Sequence, residues 1–406
     1  MDERPGRVER FGQDLVLANN DEHVVGRHCG GKAEMQHDSK INNVQMYRPR
    51  VAPSALDRLR HVLDSGWIGL GPVTEEFENE LQRPELIGKN PVLVNSGTAA
   101  LHLALVAGGV RKGSAVIVSA NTFVSTAAVV LFHQCRVIIA DVERVTGNID
   151  PDSVRSIIES TPDVSAVIVV HYSGIPCDVA ALSEIVGKYG AVVIEDCAHA
   201  VGSIWNGHPL SASPNIQAYS FHATKALAVG EGGCVTFPDA ESADRARRLR
   251  RLGIDMSTRS WGNPYDIPEL GFKYNMGDVA AAIGMAQLEN LPSELDKRQS
   301  IMWRYRERLA DSPVELVRER DSTDRSGGFA VPALVPERDR VRKEMDSYGI
   351  GTEIYFKPLN SFSIDCTGTA PVADRFASDV ICLPIHPSID FDSVDYVCDR
   401  LLEAVA

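Results

Sequence analysis

Features that would indicate a secreted or membrane-spanning protein are missing from this chain of 406 residues. No window reaches the roughly 18 consecutive apolar residues that a membrane-spanning helix needs. The N-terminus lacks the basic start and apolar stretch of a secretory signal. The eight cysteines are scattered without a CxxC pair, which is typical of buried thiols in a reducing compartment. We therefore expect a cytoplasmic protein with no membrane partner.

Positive charge is also scarce. The chain has 41 Lys and Arg residues against 55 Asp and Glu residues, a formal net charge of −14. Such a balance argues against a surface that neutralises nucleic-acid phosphates. Apolar residues make up 44% of the chain, which is close to the average for globular proteins. The composition predicts a folded protein that does not bind nucleic acid, and the length favours one large domain plus a smaller one.

Residues 1–46 are rich in charge, Gly, Asn and His and lack hydrophobic periodicity, so we interpret them as a partly ordered N-terminal arm. Four residues of this arm do not have the spacing of a compact zinc site, and we predict no metal centre: His23, His28, Cys29 and His37. The remainder divides into a large domain, residues 47–292, and a small C-terminal α+β domain, residues 293–406.

From Pro91 onward, short β-branched runs alternate with helical patterns, as in "SAVIVSA" followed by "FVSTAAVVLFHQ". This alternation predicts a mostly parallel sheet covered by helices on both faces. Asp150 followed by Pro151 indicates a helix start, because Asp caps free N–H groups and proline suits the first helical position. Two further helices are predicted at residues 239–252 and at about 278–291.

Three segments lie where predicted strands end, which is where ligands bind in open α/β sheets. In "VLVNSGTAALHLAL", Gly97 and Thr98 open a helix whose first N–H groups suit a phosphate, although the same sequence is a common helix cap. In "GAVVIEDCAHAVGS", Asp196 could hold a protonated ring nitrogen and His199 could lie against a ring. A helix-capping Asp196 and a core His199 are equally consistent with this motif.

The third segment, "YSFHATKALAVGEGGCVTF", contains Ser220 and Lys225. A lysine among small and apolar residues is placed for desolvation, which lowers its pKa and makes the amine nucleophilic toward an aldehyde. An ordinary surface lysine is the alternative. The order of the three segments, phosphate cradle, acid and lysine, favours a functional site.

Four blocks resemble, in content and order, those of the DegT/DnrJ/EryC/StrS family of pyridoxal-phosphate (PLP)-dependent sugar aminotransferases: "NSGTAALHLAL", "VIEDCAHAVGS", "SFHATKALAVGEGG" and "GFKYNMGDVAAAIGMAQLENL". The resemblance begins near Tyr47 and extends almost to the C-terminus. It implies an α/β fold of the type I PLP-transferase (aspartate-aminotransferase-like) class, with a mostly parallel sheet in the large domain. It also implies PLP and its aminated form, PMP, as cofactors.

The resemblance further implies a role for individual residues. Lys225 would form the Schiff base with the cofactor, and Asp196 would pair with the pyridine nitrogen. The other cofactor-binding positions that it implies are Gly97, Thr98, Ala99 and Ser220 at the phosphate, His199 stacked on the ring, Phe123 on the other side, and Asn275 at the phosphate of the neighbouring subunit in a homodimer. Asn275 could instead only satisfy a loop backbone before the next helix.

Lysine at position 225 favours transamination, because the related sugar 3-dehydratases have His there. The hypothesis is a ping-pong transfer of an amino group from glutamate or glutamine to a keto sugar, most similar to nucleotide-linked 4-keto-6-deoxy sugars. Arg259 and Trp261 in "STRSWGN" are candidates for contact with the nucleotide diphosphate, although an exposed loop without a ligand is equally consistent. Tyr355 and His386 could line the pocket, without an assigned role.

Two alternatives remain at this point. An inosose (cyclitol) aminotransferase would share the fold and motifs and differ only in its acceptor loops. A non-catalytic PLP-binding regulatory or scaffold protein is a second alternative, although the presence of Lys225, Asp196 and Ser220 argues against it. A nicotinamide-dependent dehydrogenase is disfavoured, because no GxGxxG follows a strand.

Overall fold

The computed structural model describes residues 43–406. The predicted arm and its histidines and cysteine lie outside the described residues, apart from the last four positions of the arm. The helices are α1 Ala55–Ser65, α2 Pro72–Leu81, α3 Gly97–Ala107, α4 Val124–Phe132, α5 Pro151–Ser160, α6 Val179–Gly187, α7 Ala240–Leu249, α8 Asp278–Leu309, α9 Arg338–Ser347, α10 Pro371–Asp379 and α11 Phe391–Val405. The strands are β1 Val92–Val94, β2 Ala115–Ser119, β3 Arg136–Ala140, β4 Val164–Val170, β5 Val192–Asp196, β6 Ile204–Trp205, β7 His208–Pro209, β8 Ile216–Ser220, β9 Gly233–Thr236, β10 Glu315–Leu316, β11 Val331–Leu334, β12 Cys366–Thr367 and β13 Val380–Leu383.

Eight strands form the central sheet, in the order β1-β9-β8-β5-β4-β2-β3-β12. Strand β9 runs antiparallel to both of its neighbours, and every other adjacent pair in this sheet is parallel. Val116 and Val118 of β2 pack with residues of α3 and α4, whereas Ile117 packs with residues of α5 and α6. Both faces of the sheet are therefore buried, which explains the uninterrupted apolar runs. The predicted mostly parallel α/β sheet is confirmed.

Local signals in the sequence place the helix starts correctly. The Asp150 side chain accepts a hydrogen bond from the Asp152 N–H at 3.0 Å, and Pro151 is the first residue of α5. At α7, the Asp239 side chain accepts from the Ser242 N–H at 2.7 Å. Both caps satisfy an N–H group that has no partner inside its helix.

The C-terminal part is built on a second sheet, in which β10, β11 and β13 are antiparallel. Its core joins Ile301 and Tyr305 of α8 to Val341 of α9, Leu383 of β13 and Leu401 of α11. This arrangement is the smaller α+β unit that the sequence predicts.

The end predicted for the helix at residue 291 is wrong, because α8 continues to Leu309 with Pro292 inside it. Proline lacks an N–H group and normally ends or bends a helix. Here the residues before Pro292 pack on the large sheet and those after it pack on the small sheet, so burial on both sides maintains the helix. The predicted division at residues 292 and 293 falls where this packing changes, and it stays a prediction.

Seven cysteines within residues 43–406 are free thiols, and six of them are buried. Cys29 lies outside the described residues. None of the helices in residues 43–406 has both the length and the apolar character needed to cross a bilayer.

Candidate active site

The three predicted motifs meet at one edge of the central sheet. Strand β8 is parallel to β5, and β1 points in the same direction because β9 is antiparallel to both β8 and β1. Asp196 ends β5, Ser220 ends β8, and α3 begins at Gly97 just after β1. Ligands bind at the carboxyl ends of strands in sheets of this kind.

A cavity of about 370 Å³ opens at this edge. Seven of the predicted site residues line it: Gly97, Thr98, Phe123, Asp196, His199, Ser220 and Lys225. Tyr355 also lines the cavity. The remaining candidates are not among its lining residues: Ala99, Arg259, Trp261, Asn275 and His386.

The start of α3 and the end of β8 form a cradle for an anion. A Cβ on Gly97 would lie 2.8 Å from the Ser220 Cβ, so only glycine lets the two segments approach so closely. The Ser220 Oγ accepts a hydrogen bond from the His222 N–H at 3.3 Å, which leaves its own hydrogen free to donate. The Ala99 N–H donates to the Ser96 Oγ at 3.1 Å, so the predicted contact of Ala99 with a phosphate would require this cap to open.

Asp196 presents its carboxylate to the cavity although the residue is only 6% exposed. It accepts a hydrogen bond from the Ala198 N–H at 3.0 Å. Burial raises its pKa, while the Ala198 N–H and the charge of Lys225 act in the opposite direction. The preceding Glu195 does not line the cavity and instead accepts hydrogen bonds from side chains that include Gln217. The two neighbouring acids of the motif thus have separate roles.

Lys225 lies in the loop of residues 221–232 between β8 and β9. Backbone hydrogen bonds close this loop, from the Phe221 N–H to the Gly232 carbonyl and from the Ala223 N–H to the Gly230 carbonyl, each at 2.9 Å. Burial lowers the pKa of Lys225 to about 8, against the charge of Asp196, which raises it. The predicted desolvated lysine therefore has the environment that makes an amine nucleophilic.

His199 stacks on an aromatic ring that the motifs do not contain. The ring centroids of His199 and Phe329 are 3.7 Å apart and the planes differ by 8°. The His199 Nδ1 is buried and has no hydrogen-bond partner within residues 43–406. Burial, reinforced by the charge of Lys225, holds the pKa of His199 well below its usual range, so the ring is neutral at neutral pH. Phe356 is a second near-parallel neighbour of His199, with ring centroids 5.8 Å apart and planes that differ by 15°.

Among the cavity residues without a role in the sequence prediction are His222, Glu231, Phe329 and Phe356. Position alone could have identified His222 and Glu231, because they flank Lys225 in the same motif. Phe329 and Phe356 follow α8 and lie in segments without a recognisable motif. The Phe329 ring centroid lies 4.3 Å from the Lys225 Nζ. This contact exists because the segment after α8 folds back to the edge of the large sheet where the cavity lies.

The predicted acceptor loop is exposed. Arg259 lies on the surface, and Trp261 is fully exposed. Asn275 lies in a separate cleft with Arg251, Lys273 and residues 66–70. Its Oδ1 is buried without a hydrogen-bond partner in the described part of the chain.

The cavity suits PLP on chemical grounds. The free N–H groups at the start of α3 and the Ser220 hydroxyl fit an anionic phosphate. Lys225 fits an aldehyde, and a buried carboxylate at Asp196 fits a protonated pyridine nitrogen. His199 offers a neutral planar ring for stacking.

The fold and this cavity define an aminotransferase of the type I PLP-transferase class. The chain belongs to the DegT/DnrJ/EryC1/StrS aminotransferase family, whose model matches residues 49–402.

Two curated relatives match over most of their length. The spore coat polysaccharide biosynthesis protein SpsC of Bacillus subtilis is 33% identical over 379 residues, which cover 88% of this chain and 96% of SpsC. A dTDP-4-dehydro-2,3,6-trideoxy-D-glucose 4-aminotransferase of Saccharopolyspora spinosa is 33% identical over 378 residues, covering 89% and 97% of the two chains.

Solved structures agree with this assignment. The sugar aminotransferase CalS13 of Micromonospora echinospora superposes with a TM-score of 0.84 at 29% identity, covering 89% of this chain and 99% of CalS13. Spr1654 of Streptococcus pneumoniae, with a TM-score of 0.83 at 28% identity over 89% and 98% of the two chains, has been solved in a PMP form and also in a PLP form. The predicted enzyme class, a PLP-dependent sugar aminotransferase, and its cofactor are confirmed. The roles of individual residues stay predictions.

Proposed function

We propose that this protein transfers an amino group from glutamate or glutamine to a nucleotide-linked 4-keto-6-deoxy sugar. The convergence of Lys225, Asp196 and Ser220 in one cavity carries this proposal. The relative from Saccharopolyspora spinosa, which is named for a dTDP-linked 4-keto sugar, supports the acceptor class.

Bound PLP supplies a conjugated ring that accepts electrons released at the Cα of the amino donor. Lys225 would hold the cofactor through its Nζ, and the same atom, as a free amine, would take up the proton from the Cα of the donor. The lowered pKa of Lys225 serves both tasks, because only the neutral amine can attack or accept a proton. Asp196 would accept a hydrogen bond from the pyridine N–H and keep that proton in place.

The remaining cavity residues bind and orient. Gly97, Thr98 and Ser220 hold the phosphate, and His199 supports one face of the ring, with Phe123 as the candidate for the other. The aromatic ring of Phe329 keeps water away from the Lys225 amine. Donor and acceptor use the same cavity in turn, which gives ping-pong kinetics.

A homodimer is part of the proposal. Leu56 and Leu63, seven residues apart on α1, are 71% and 63% exposed, and Trp67 and Ile68 in the following loop are each 58% exposed. An exposed apolar patch of this kind is typical of a protein interface. Because the same loop borders the cleft of Asn275, a second copy docked here would lie beside Asn275, whose amide N–H groups can donate hydrogen bonds and which we assign to the cofactor phosphate of the partner subunit.

We assign Arg259 and Trp261 to the nucleotide diphosphate of the acceptor. Both side chains lie on an exposed loop where they are free to meet a ligand, and a guanidinium binds phosphate oxygens in pairs. Binding of the free nucleotide diphosphate, measured by calorimetry, tests this assignment and separates it from an inosose aminotransferase, for which such a ligand has no function.

The decisive experiment for the reaction is the absorbance of the PLP-loaded protein before and after addition of L-glutamate. The wild-type protein is expected to show the visible band of a lysine-bound cofactor and to lose it on amination. Lys225→Ala is expected to lack this band and to lose transamination by several orders of magnitude, at least ~10³-fold.

Lys188→Ala is the matched control, because Lys188 is an exposed lysine just after α6, paired with Glu184 at 2.8 Å, and does not line the cavity. It should behave as the wild type. Full turnover by Lys225→Ala would refute the role given to Lys225.

A further inference from the structure

Two cavity residues without a role in this mechanism are His222 and Glu231. They face each other where the two ends of the Lys225 loop, residues 221–232, come together. Each lies next to a backbone hydrogen bond that closes the loop, and residues 222 and 230 form a bridge. The His222 Nε2 lies 3.9 Å from the Glu231 Oε1. Both side chains line the same cavity as Lys225.

The contacts of His222 determine which nitrogen faces the acid. Its Nδ1 lies 3.0 Å from the Thr224 Oγ1 and 3.4 Å from the Thr224 N–H. A backbone N–H can only donate, so Nδ1 acts as the acceptor and the neutral ring carries its hydrogen on Nε2. This hydrogen faces the Glu231 Oε1 from a nitrogen 3.9 Å away, which is beyond hydrogen-bond distance, so the ring attracts the carboxylate electrostatically and leaves both of its oxygens free to accept.

Glu231 differs from the other acid of the cavity in its exposure. Asp196 is buried, whereas the Glu231 side chain is 74% exposed. Among the residues that line the cavity, these two are the carboxylates. Glu231 is therefore the carboxylate available to a ligand that enters the cavity from solvent.

A carboxylate interacts differently with the amino donor and with the acceptor sugar. Glutamate and glutamine bring an anionic α-carboxylate, which Glu231 repels. A keto sugar brings neutral hydroxyl groups, and a carboxylate with two acceptor oxygens can receive hydrogen bonds from adjacent hydroxyls.

We propose that Glu231, oriented by His222, is a specificity residue that binds hydroxyl groups next to the carbonyl of the acceptor sugar. This inference rests on the proposed function and narrows it, since the acceptor then retains a hydroxyl beside its keto group. His222 acts through Glu231 and is a positioning residue.

The test uses the PLP-loaded protein, which cannot aminate a keto sugar, so that binding is measured without turnover. The probes are a dTDP-linked 4-keto-6-deoxyhexose that carries its 2- and 3-hydroxyl groups and the corresponding 2,3,6-trideoxy compound. Calorimetry gives the dissociation constant of each for the wild type, Glu231→Gln and Glu231→Ala. Glu159→Gln, at an exposed position of α5 outside the cavity, is the matched control.

Wild type and Glu159→Gln are expected to bind the hydroxylated sugar more tightly than the trideoxy sugar. Loss of a hydrogen bond to a charged group should weaken binding of the hydroxylated sugar about 10-fold or more in both Glu231 variants. Binding of the trideoxy sugar should change less than about 2-fold. His222→Gln should lose part of the same discrimination.

The loss of the visible band with L-glutamate is measured in parallel. Its retention in the Glu231 variants, together with lost discrimination between the sugars, supports the inference. Equal weakening for both sugars, or no change for either, overturns it. If the wild type itself fails to respond to L-glutamate, the proposed function fails, and this result is distinguishable from a failure at Glu231.

Discussion

At the scale of single residues, burial acts in opposite directions on the acid and the base of the site. It raises the pKa of Asp196 and lowers that of Lys225, because a low dielectric disfavours the charged form of each. Each charge opposes the effect of burial on the other group. The two residues are therefore coupled, and a change in one should move the titration of the other.

This coupling predicts a pH dependence for cofactor attachment. The rate at which added PLP forms the visible band should rise with pH around about 8, as Lys225 loses its proton. Asp196→Asn removes the charge that raises the pKa of Lys225, so the midpoint should move to lower pH. Stopped-flow absorbance measures the rate of band formation for both proteins. The pH range is about 6 to about 10, roughly two units on either side of the Lys225 pKa of about 8.

The control is Asp152→Asn, an exposed position on α5, which should leave the midpoint unchanged. An unchanged or higher midpoint in Asp196→Asn would contradict the coupling. The lowered pKa of Lys225 also affects stability. Below about pH 8 the lysine is protonated in the folded and the unfolded protein, and its buried charge destabilises the fold. This cost decreases as the pH rises above about 8 and disappears above 10.5, the pKa of the lysine in the unfolded chain.

At the scale of elements, the sequence predicts what depends on local patterns. Lys225, Asp196 and Ser220 could be predicted together because each lies at the end of a strand or in a motif beside one. Phe329 could not, since its contact with His199 depends on where α8 and the small sheet return over the large one. The continuation of α8 through Pro292 was missed for a similar reason, because burial on two different sheets outweighs a local helix-breaking signal.

Helix α8 provides a direct test of that balance. Pro292 is exposed, so its replacement removes little packing. Pro292→Ala should raise the free energy of unfolding by about 1–3 kcal/mol, because alanine restores an N–H group and removes the ring from the helix interior. Urea denaturation of the cofactor-free protein measures the change.

Ser293→Ala, at the next exposed position of α8, is the control and should change stability by less than about 0.5 kcal/mol. Destabilisation by Pro292→Ala would indicate that the helix requires the bend of a proline at this point, contrary to the account given above.

At the scale of the whole molecule, the cavity of one chain does not contain every group assigned to the reaction. Asn275 lies in a different cleft, beside the exposed apolar side chains of Trp67 and Ile68. In the two-fold symmetric dimer that we propose, this surface is buried and the Asn275 of each subunit would meet the Lys225 cavity of the other. The sites of such a dimer would be shared, with Lys225 from one subunit and Asn275 from its partner.

Shared sites predict complementation between inactive subunits. Lys225→Ala and Asn275→Ala homodimers should each have low activity, the second through weakened cofactor binding. After unfolding and refolding together, half of the dimers are mixed, and each mixed dimer contains one site with both residues intact. Activity should therefore return to about a quarter of the wild-type value, following the two-fold symmetry of the sites.

Leu63→Glu in both subunits should abolish this recovery, because a charge in the apolar patch opposes dimer formation, and light scattering should then report monomers. Trp303→Glu, at an apolar position of α8 that is 60% exposed and lies outside the patch, is the control. Full activity of the Asn275→Ala homodimer, or no recovery from the mixture while dimers persist, would place Asn275 outside the partner's site and limit its role to the loop before α8.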